Sequence, residues 1–270
     1  MIAVKRVKLP NGQRIYTPDR ITSSAVYDEI YKKNEYIRKG IQIHDGNTIF
    51  DVGANIGLFT RYITEHAKNL QIFAFEPVPV TFNALKLNTE GLPANVTVYN
   101  IGLGERQETI NIEYYPRVSC DSAIIPFDFE LKIEQYAKYF KNKSVTKIFP
   151  QRFNKALARS FLKWAYKAVK IPVQIRRLSD YIIENRIDRI DLLKLDAENY
   201  EKQIIAGIDA NHWDKIRQIA MEVHTHIKGG ENLLDEMMKF LQEKGFHVEA
   251  RLDSAYAQFG AIMVYGIKNS

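Results

Sequence analysis

The sequence predicts an α/β fold built on a doubly wound, mostly parallel, Rossmann-like sheet, and three observations predict it. Residues 47–59, NTIFDVGANIGLF, combine a short buried strand, a glycine-containing turn and the start of a helix. Ile49, Phe50 and Val52 form an apolar run too short and too β-rich for a helix, and Leu58, Phe59, Tyr62 and Ile63 then recur at helical spacing. A second buried run, QIFAF, ends at Glu76 and is stopped by Pro77 and Pro79. Strand-like and helix-like stretches keep alternating after it, the pattern of parallel strands joined by helices.

A strand, a glycine turn and a helix bring backbone amides and a helix N-terminus toward a nucleotide-like ligand. Asp51 sits near the strand end, and Gly53 and Gly57 allow a sharp turn or a close approach. An acidic residue about 20 positions beyond such a turn is placed to accept hydrogen bonds from ribose hydroxyls, which makes Glu76 the candidate. NAD and S-adenosylmethionine (SAM) both use this geometry. The dinucleotide pattern G-x-G-x-x-G is absent, with Asn55 where a glycine is expected, so the sequence favours SAM.

The motifs DVGANIG, FAFEPVP and LLKLDAENYE, in that order, resemble the FkbM family of SAM-dependent methyltransferases. The resemblance covers roughly residues 36–265, more poorly over 127–170. It implies a class I methyltransferase Rossmann-like sheet, mostly parallel, closed by an antiparallel C-terminal hairpin and carrying a basic helical insertion. The chain departs from the family twice: Asp196-Ala-Glu-Asn199 replaces the usual D-V-E-G, and the middle insert is long.

A chain of 270 residues holds one large domain, or one domain with an insertion. Residues 1–46 read as an N-terminal hairpin and helix, and 47–270 as the SAM-binding domain with a lid or substrate insertion at about 115–172. Apolar residues make up 46% and charged ones 26%, ordinary for a soluble globular protein. Cys120 is the only cysteine, which excludes an intramolecular disulfide and fits a reducing compartment. No signal peptide and no spanning helix is expected, so a cytoplasmic protein is. The net charge of +6 is uneven: residues 127–170 hold eleven Lys and Arg against three acids, a net +8, leaving −2 for the rest.

In chain order, 4–9 and 13–16 alternate around Asn11-Gly12, a hairpin signal. Thr22 and Ser23 are candidate caps for a helix carrying Val26, Ile30 and Tyr31. In the resembled family this helix lies near the cofactor mouth, so Tyr36 either lines that mouth or packs under the first strand. Strands follow at 48–53, 70–76 and 95–101, with helices at 57–67 and 79–90 between them. Asn100, at the third strand end, is a candidate for the adenine edge or ribose, or a turn residue. Residues 109–114 suggest an extra strand; 119–122 form a polar loop that in the family lies near the site. Beyond the insert come a strand at 173–176, a helix at 178–183, core strands at 190–195 and 216–223, and helices at 200–208 and 232–244. Gly245 ends the last helix, and 246–251 and 256–267 close the sheet.

Ligands of a doubly wound sheet sit at the carboxyl ends of its strands. The residues there are Asp51, Gly53, Glu76, Asn100, Asp196, Glu198, Glu222 and His224. The last four form the expected catalytic group, since buried acids need pairing or solvent. Methyl transfer needs an acceptor oxygen held in line with the methyl and relieved of its proton. His224 suits the base, with Asp196 or Glu222 orienting it, because its unperturbed pKa lies near neutrality; alternatively it caps a strand end. In a competing account Asp196, Glu222 and His224 hold a divalent ion, Mg²⁺ for oxygen-rich ligands, as in catechol-type O-methyltransferases. His226, His212, His247, His44 and His66 read as surface or packing residues. The absence of an Asn/Asp-Pro-Pro-Tyr motif after the fourth strand argues for oxygen over nitrogen as acceptor.

The insert reads as a helix over 155–170, with Leu157, Phe161, Trp164, Ala165 and Ala168 on one face and Lys155, Arg159, Lys163, Lys167 and Lys170 on the other. It is a lid with a solvated basic face, a dock for an acidic carrier protein bearing the substrate, or an anionic membrane contact. RNA is disfavoured, since no RNA-binding module accompanies the charge. The expected function is O-methylation of a natural product or sugar hydroxyl. The alternatives are a nitrogen acceptor, or a non-catalytic SAM-fold module acting through the insert.

Overall fold

The computed structural model describes residues 3–141, 150–227, 229–253 and 257–268. The chain opens with the antiparallel hairpin β1 (Lys5–Lys8) and β2 (Arg14–Thr17), then α1 (Arg20–Tyr27), which runs into a π-helical turn at Asp28–Lys32. Asp19 caps α1, its Oδ1 accepting the Thr22 amide at 2.8 Å. The expected caps Thr22 and Ser23 fall inside the first turn, buried against the rest of the protein.

Next come β3 (Thr48–Val52), α2 (Leu58–Thr64), β4 (Gln71–Phe75), α3 (Pro79–Thr89) and β5 (Asn95–Tyr99). They are followed by β6 (Gly102–Leu103), β7 (Glu108–Tyr114), α4 (Phe129–Lys141), α5 (Gln151–Ala165) and β8 (Val169–Arg176). The chain ends with α6 (Leu178–Glu184), β9 (Leu192–Leu195), α7 (Glu201–Ala206), β10 (Gln218–His224), α8 (Leu233–Glu243), β11 (His247–Arg251) and β12 (Ala261–Ile267). The expected start of the last strand at Tyr256, and Lys143 and Lys147 of the basic stretch, lie outside the described residues.

The central sheet has the order β11-β12-β10-β9-β3-β4-β5. From β10 to β5 every pairing is parallel; β12 runs antiparallel between β10 and β11. This is the class I methyltransferase arrangement that the sequence predicted. Its strands read as continuous apolar runs because both faces are covered. Along β3 the side chains alternate between two cores. Phe50 packs with Phe73, Phe75 and the α6–α8 side, and Ile49 with α2 and the N-terminal hairpin and helix.

A second sheet, β6-β8-β7, carries the insertion. Tyr114 of β7 pairs with Val169 of β8, so residues 115–168 leave and return at one point of a paired ladder. Helices α4 and α5 pack through Ile133, Ala137, Ala158, Leu162 and Ala165. The expected helix over 155–170 is displaced: Pro150 caps the start of α5, and at Ala165 the chain turns into a strand longer than expected. The buried face is also rotated. Asn154, Ala158, Leu162 and Ala165 point inward, while Leu157 is 37% and Trp164 53% exposed. Of the expected stripe Ala165 is buried and Phe161 partly so, while the inward face is completed by Ala158 and Leu162. Lys155 and Arg159 are not a free basic face, since they pair with Glu134 and Glu130 of α4.

Candidate active site

The glycine turn is shaped by packing. Gly53 has φ +70°, and a Cβ there would collide with the Asp196 carbonyl. Asn55 takes the left-handed conformation expected of glycine, φ +52°, where asparagine is tolerated because its short side chain bonds locally. Its Oδ1 accepts the Ile56 amide at 2.8 Å. The turn's amides are already engaged: those of Gly53 and Ala54 donate to the Phe75 carbonyl, and that of Asn55 to Glu76 Oε2. The turn's amides are therefore committed within the protein, and Gly53 is required by the close passage of the Asp196 backbone. Asn199 solves the same problem after β9. Its φ of +74° suits the glycine that the family motif has there, and its side-chain amide donates to the Ile125 carbonyl at 2.8 Å.

Two cavities meet over the carboxyl ends of the strands. The smaller, about 60 Å³, includes Gly53, Asn55, Glu76, Ile101, Asp196 and Glu198 among its lining residues. The larger, about 240 Å³, is lined among others by Tyr36, Asp196, Glu198, Glu222, His224 and His226. Gly53, Asn55, Cys120, Asp196 and Glu198 belong to both. In the smaller cavity Glu76 is clamped by the amides of Val78 (2.9 Å) and Asn55 (3.1 Å), and burial pushes its carboxyl up to about 7.

Three expected cofactor residues line neither cavity. Asp51 is fully buried, accepting from Thr60 Oγ1 at 2.7 Å and lying 3.3 Å from Lys194 Nζ. Gly57 begins α2 against Leu85 and Thr89. Asn100 donates to the carbonyls of Glu76 and Pro77, holding the turn after β4. Tyr36 does reach the larger cavity, where its hydroxyl donates to Asp196 Oδ2 at 2.7 Å.

His224 stands among carboxylates. Its Nδ1 lies 2.7 Å from Glu201, and its Nε2 lies 3.4 Å from Glu198 and 3.6 Å from Glu222. Burial alone favours the neutral ring, but Glu198, Glu201 and Glu222 outweigh it and hold the pKa well above its ordinary value. The ring's Nδ1 is committed to Glu201, and Nε2 is the ring atom turned toward Glu198, Glu222 and the larger cavity. Asp196, Glu198 and His224 each bring one ligand atom within 4.8 Å of the others. The carboxylates answer in kind: burial pushes Glu198 and Glu222 well above the ordinary range, and burial with Asp196 raises Glu29 to about 7.

Several residues escaped the sequence reading. Lys194, buried in β9, donates to the Gly53 carbonyl at 2.6 Å and ties Asp51 to the loop after β3. A lysine inside the apolar run LLKL was its readable signal. Glu201 and Glu29 looked like ordinary helix-surface acids. His226 is buried 5.4 Å from the His224 ring, and burial with that neighbour lowers its pKa to about 3. The loop at 119–122 does face the site, and the buried Lys132 of α4 pairs with its Asp121 at 2.7 Å.

The family model for the methyltransferase FkbM domain matches residues 51–248. The 31-O-demethyl-FK506 methyltransferase FkbM of Streptomyces tacrolimicus is 30% identical over 254 residues, 94% of this chain and 93% of that protein. AMB antimetabolite synthetase AmbE of Pseudomonas aeruginosa is 30% identical over 253 residues, 92% of this chain, which spans 12% of AmbE. Among solved structures, magnesium protoporphyrin IX methyltransferase of Synechocystis with bound SAM aligns at a TM-score of 0.39 and 9% identity, covering 92% of this chain and 78% of that one. With the family motifs gathered around the two cavities and the family model spanning most of its length, the chain belongs to the FkbM family of SAM-dependent methyltransferases.

Proposed function

We propose that the protein transfers a methyl group from SAM to a hydroxyl of a small natural product or sugar. The observation that carries this reading is the position of Glu198, which lines both cavities and lies 3.4 Å from Nε2 of His224. The residues present fit SAM: Glu76 has lone pairs left for ribose hydroxyls, and the carboxylate wall suits a sulfonium. When bound, SAM supplies a methyl on a good leaving group.

The protein's task is then to place the acceptor and take its proton. Glu198 takes that proton at the shared wall. His224 stabilises the Glu198 carboxylate, and Glu201 fixes the ring through Nδ1. The relative named for a 31-O-demethyl substrate supports oxygen as acceptor. The synthetase relative supports a natural-product setting, in which an acidic carrier protein presents the acceptor at the exposed Lys163 and Lys167. The single Cys120 fits a cytoplasmic site of action.

Matched hydroxyl and amine acceptors, assayed with methyl-labelled SAM, test the reading by mass spectrometry. Label on oxygen supports it; label confined to nitrogen overturns it.

A further inference from the structure

The acceptor side holds more carboxylate than its cations can neutralise. His224 is engaged by Glu201, and Lys132 by Asp121. Lys194 lies 3.3 Å from Asp51, donates to the carbonyls of Val52 and Gly53, and stands 3.8 Å from Asp196 Oδ2. Beside these three cations stands a triad drawn from three separate parts of the chain: Glu29 on the π-helical turn, Asp196 after β9 and Glu222 on β10. One oxygen of each lies within 4.8 Å of the other two.

A second observation points the triad to a ligand. Glu222 is only 7% exposed and lines the larger cavity, and His224 Nε2 stands 3.6 Å from its Oε2, beyond hydrogen-bond distance. Asp196 Oδ1 and Glu29 Oε1 are also buried without a partner. Tyr36 binds the other oxygen of Asp196, which fixes that carboxylate in orientation as outer partners of metal ligands do. The π-helical turn is the third sign: one widened turn re-aims a side chain, and such turns recur at functional sites.

We infer that Glu29, Asp196 and Glu222 bind a divalent cation, with Mg²⁺ and Mn²⁺ the fitting class for an all-oxygen donor set. The cation's remaining positions face the larger cavity. There it holds the acceptor oxygen and lowers its pKa, while the proton leaves to Glu198. This role rests on the larger cavity being the acceptor site. The cation also ties the N-terminal segment to the catalytic sheet, so an acid outside the matched family region becomes part of the site.

The test uses the full chain, stripped with EDTA, desalted and free of SAM. Electron paramagnetic resonance follows free Mn²⁺ during titration, with Mg²⁺ as competitor. The expected result is one displaceable Mn²⁺ per chain, with affinity lowered on the order of tenfold or more in Glu29→Gln and in Glu222→Gln. Thermal unfolding with and without Mn²⁺ gives a second readout: the midpoint rises in the parent and not in the variants. No binding at millimolar Mn²⁺, or equal affinity in parent and both variants, overturns the site. Calorimetry with SAM on the same samples keeps the questions apart. Failure to bind SAM would break the methyl-transfer reading and leave the Mn²⁺ result standing.

Discussion

At the scale of single residues, Glu76 gives the clearest predictions. Its position at the end of β4 was legible because a strand end followed by Pro77 is a local signal. Glu76→Ala should weaken SAM by about 1.5–3 kcal/mol in calorimetry, the range for hydrogen bonds to a charged group. Because burial holds its pKa at about 7, the carboxylate is half ionised near neutrality. Ionised Glu76 is the better acceptor, so SAM affinity should fall as pH drops through about 7. Glu76→Gln should flatten that dependence, and an unchanged slope in the variant would remove Glu76 from the ribose. Glu198→Gln should lower turnover by about 10²–10⁴-fold, the usual reach of a general base. The charge on His224 was not legible. Burial lowers its pKa while Glu198, Glu201 and Glu222 raise it; Glu198 and Glu222 follow from the strand-end rule, but only the packing of α7 on β10 brings Glu201 to the ring.

At the scale of elements, the insertion shows where pattern reading stops. The sequence puts it at about 115–172, and the chain leaves and rejoins the ladder at Tyr114 and Val169. Its inner face was legible only in part. The sequence argues for one apolar stripe, but which residues are buried depends on what α4 offers, and Ala158 and Leu162 join Ala165 there. Within the insertion, Lys132 ties α4 to the loop at 119–122 and to Tyr166 after α5. It is 5% exposed, paired with Asp121 and lies over the rings of Phe127 and Tyr166 at 4.1 and 4.5 Å. Lys132→Met strands a buried carboxylate and should cost about 3–5 kcal/mol in urea unfolding; a loss under 1 kcal/mol would show the pair to be effectively solvated. The outer face makes a different prediction. Lys163→Glu with Lys167→Glu should leave SAM affinity intact but raise KM for an acidic, carrier-linked acceptor, and high salt should mimic the effect. An equal rise for a small free acceptor would instead mark the helix as a wall of the cavity.

At the scale of the whole molecule, the sheet was legible because each strand announces itself by a local apolar run. The convergence on the site was legible only in part, because the rule that ligands gather at strand ends supplies Asp196, Glu198, Glu222 and His224 but not what crosses over from elsewhere. Glu29 and Tyr36 arrive from the N-terminal segment, His226 from beyond β10, and Lys132 from the insertion. The central claim is that cofactor and acceptor meet at the wall shared by the two cavities. A crystal structure with S-adenosylhomocysteine tests it most directly. The account predicts Glu76 in hydrogen-bond contact with the ribose hydroxyls, and the sulfur at Asp196 and Glu198, open toward Glu222 and His224. A ribose away from Glu76, or a sulfur turned from the larger cavity, would contradict it.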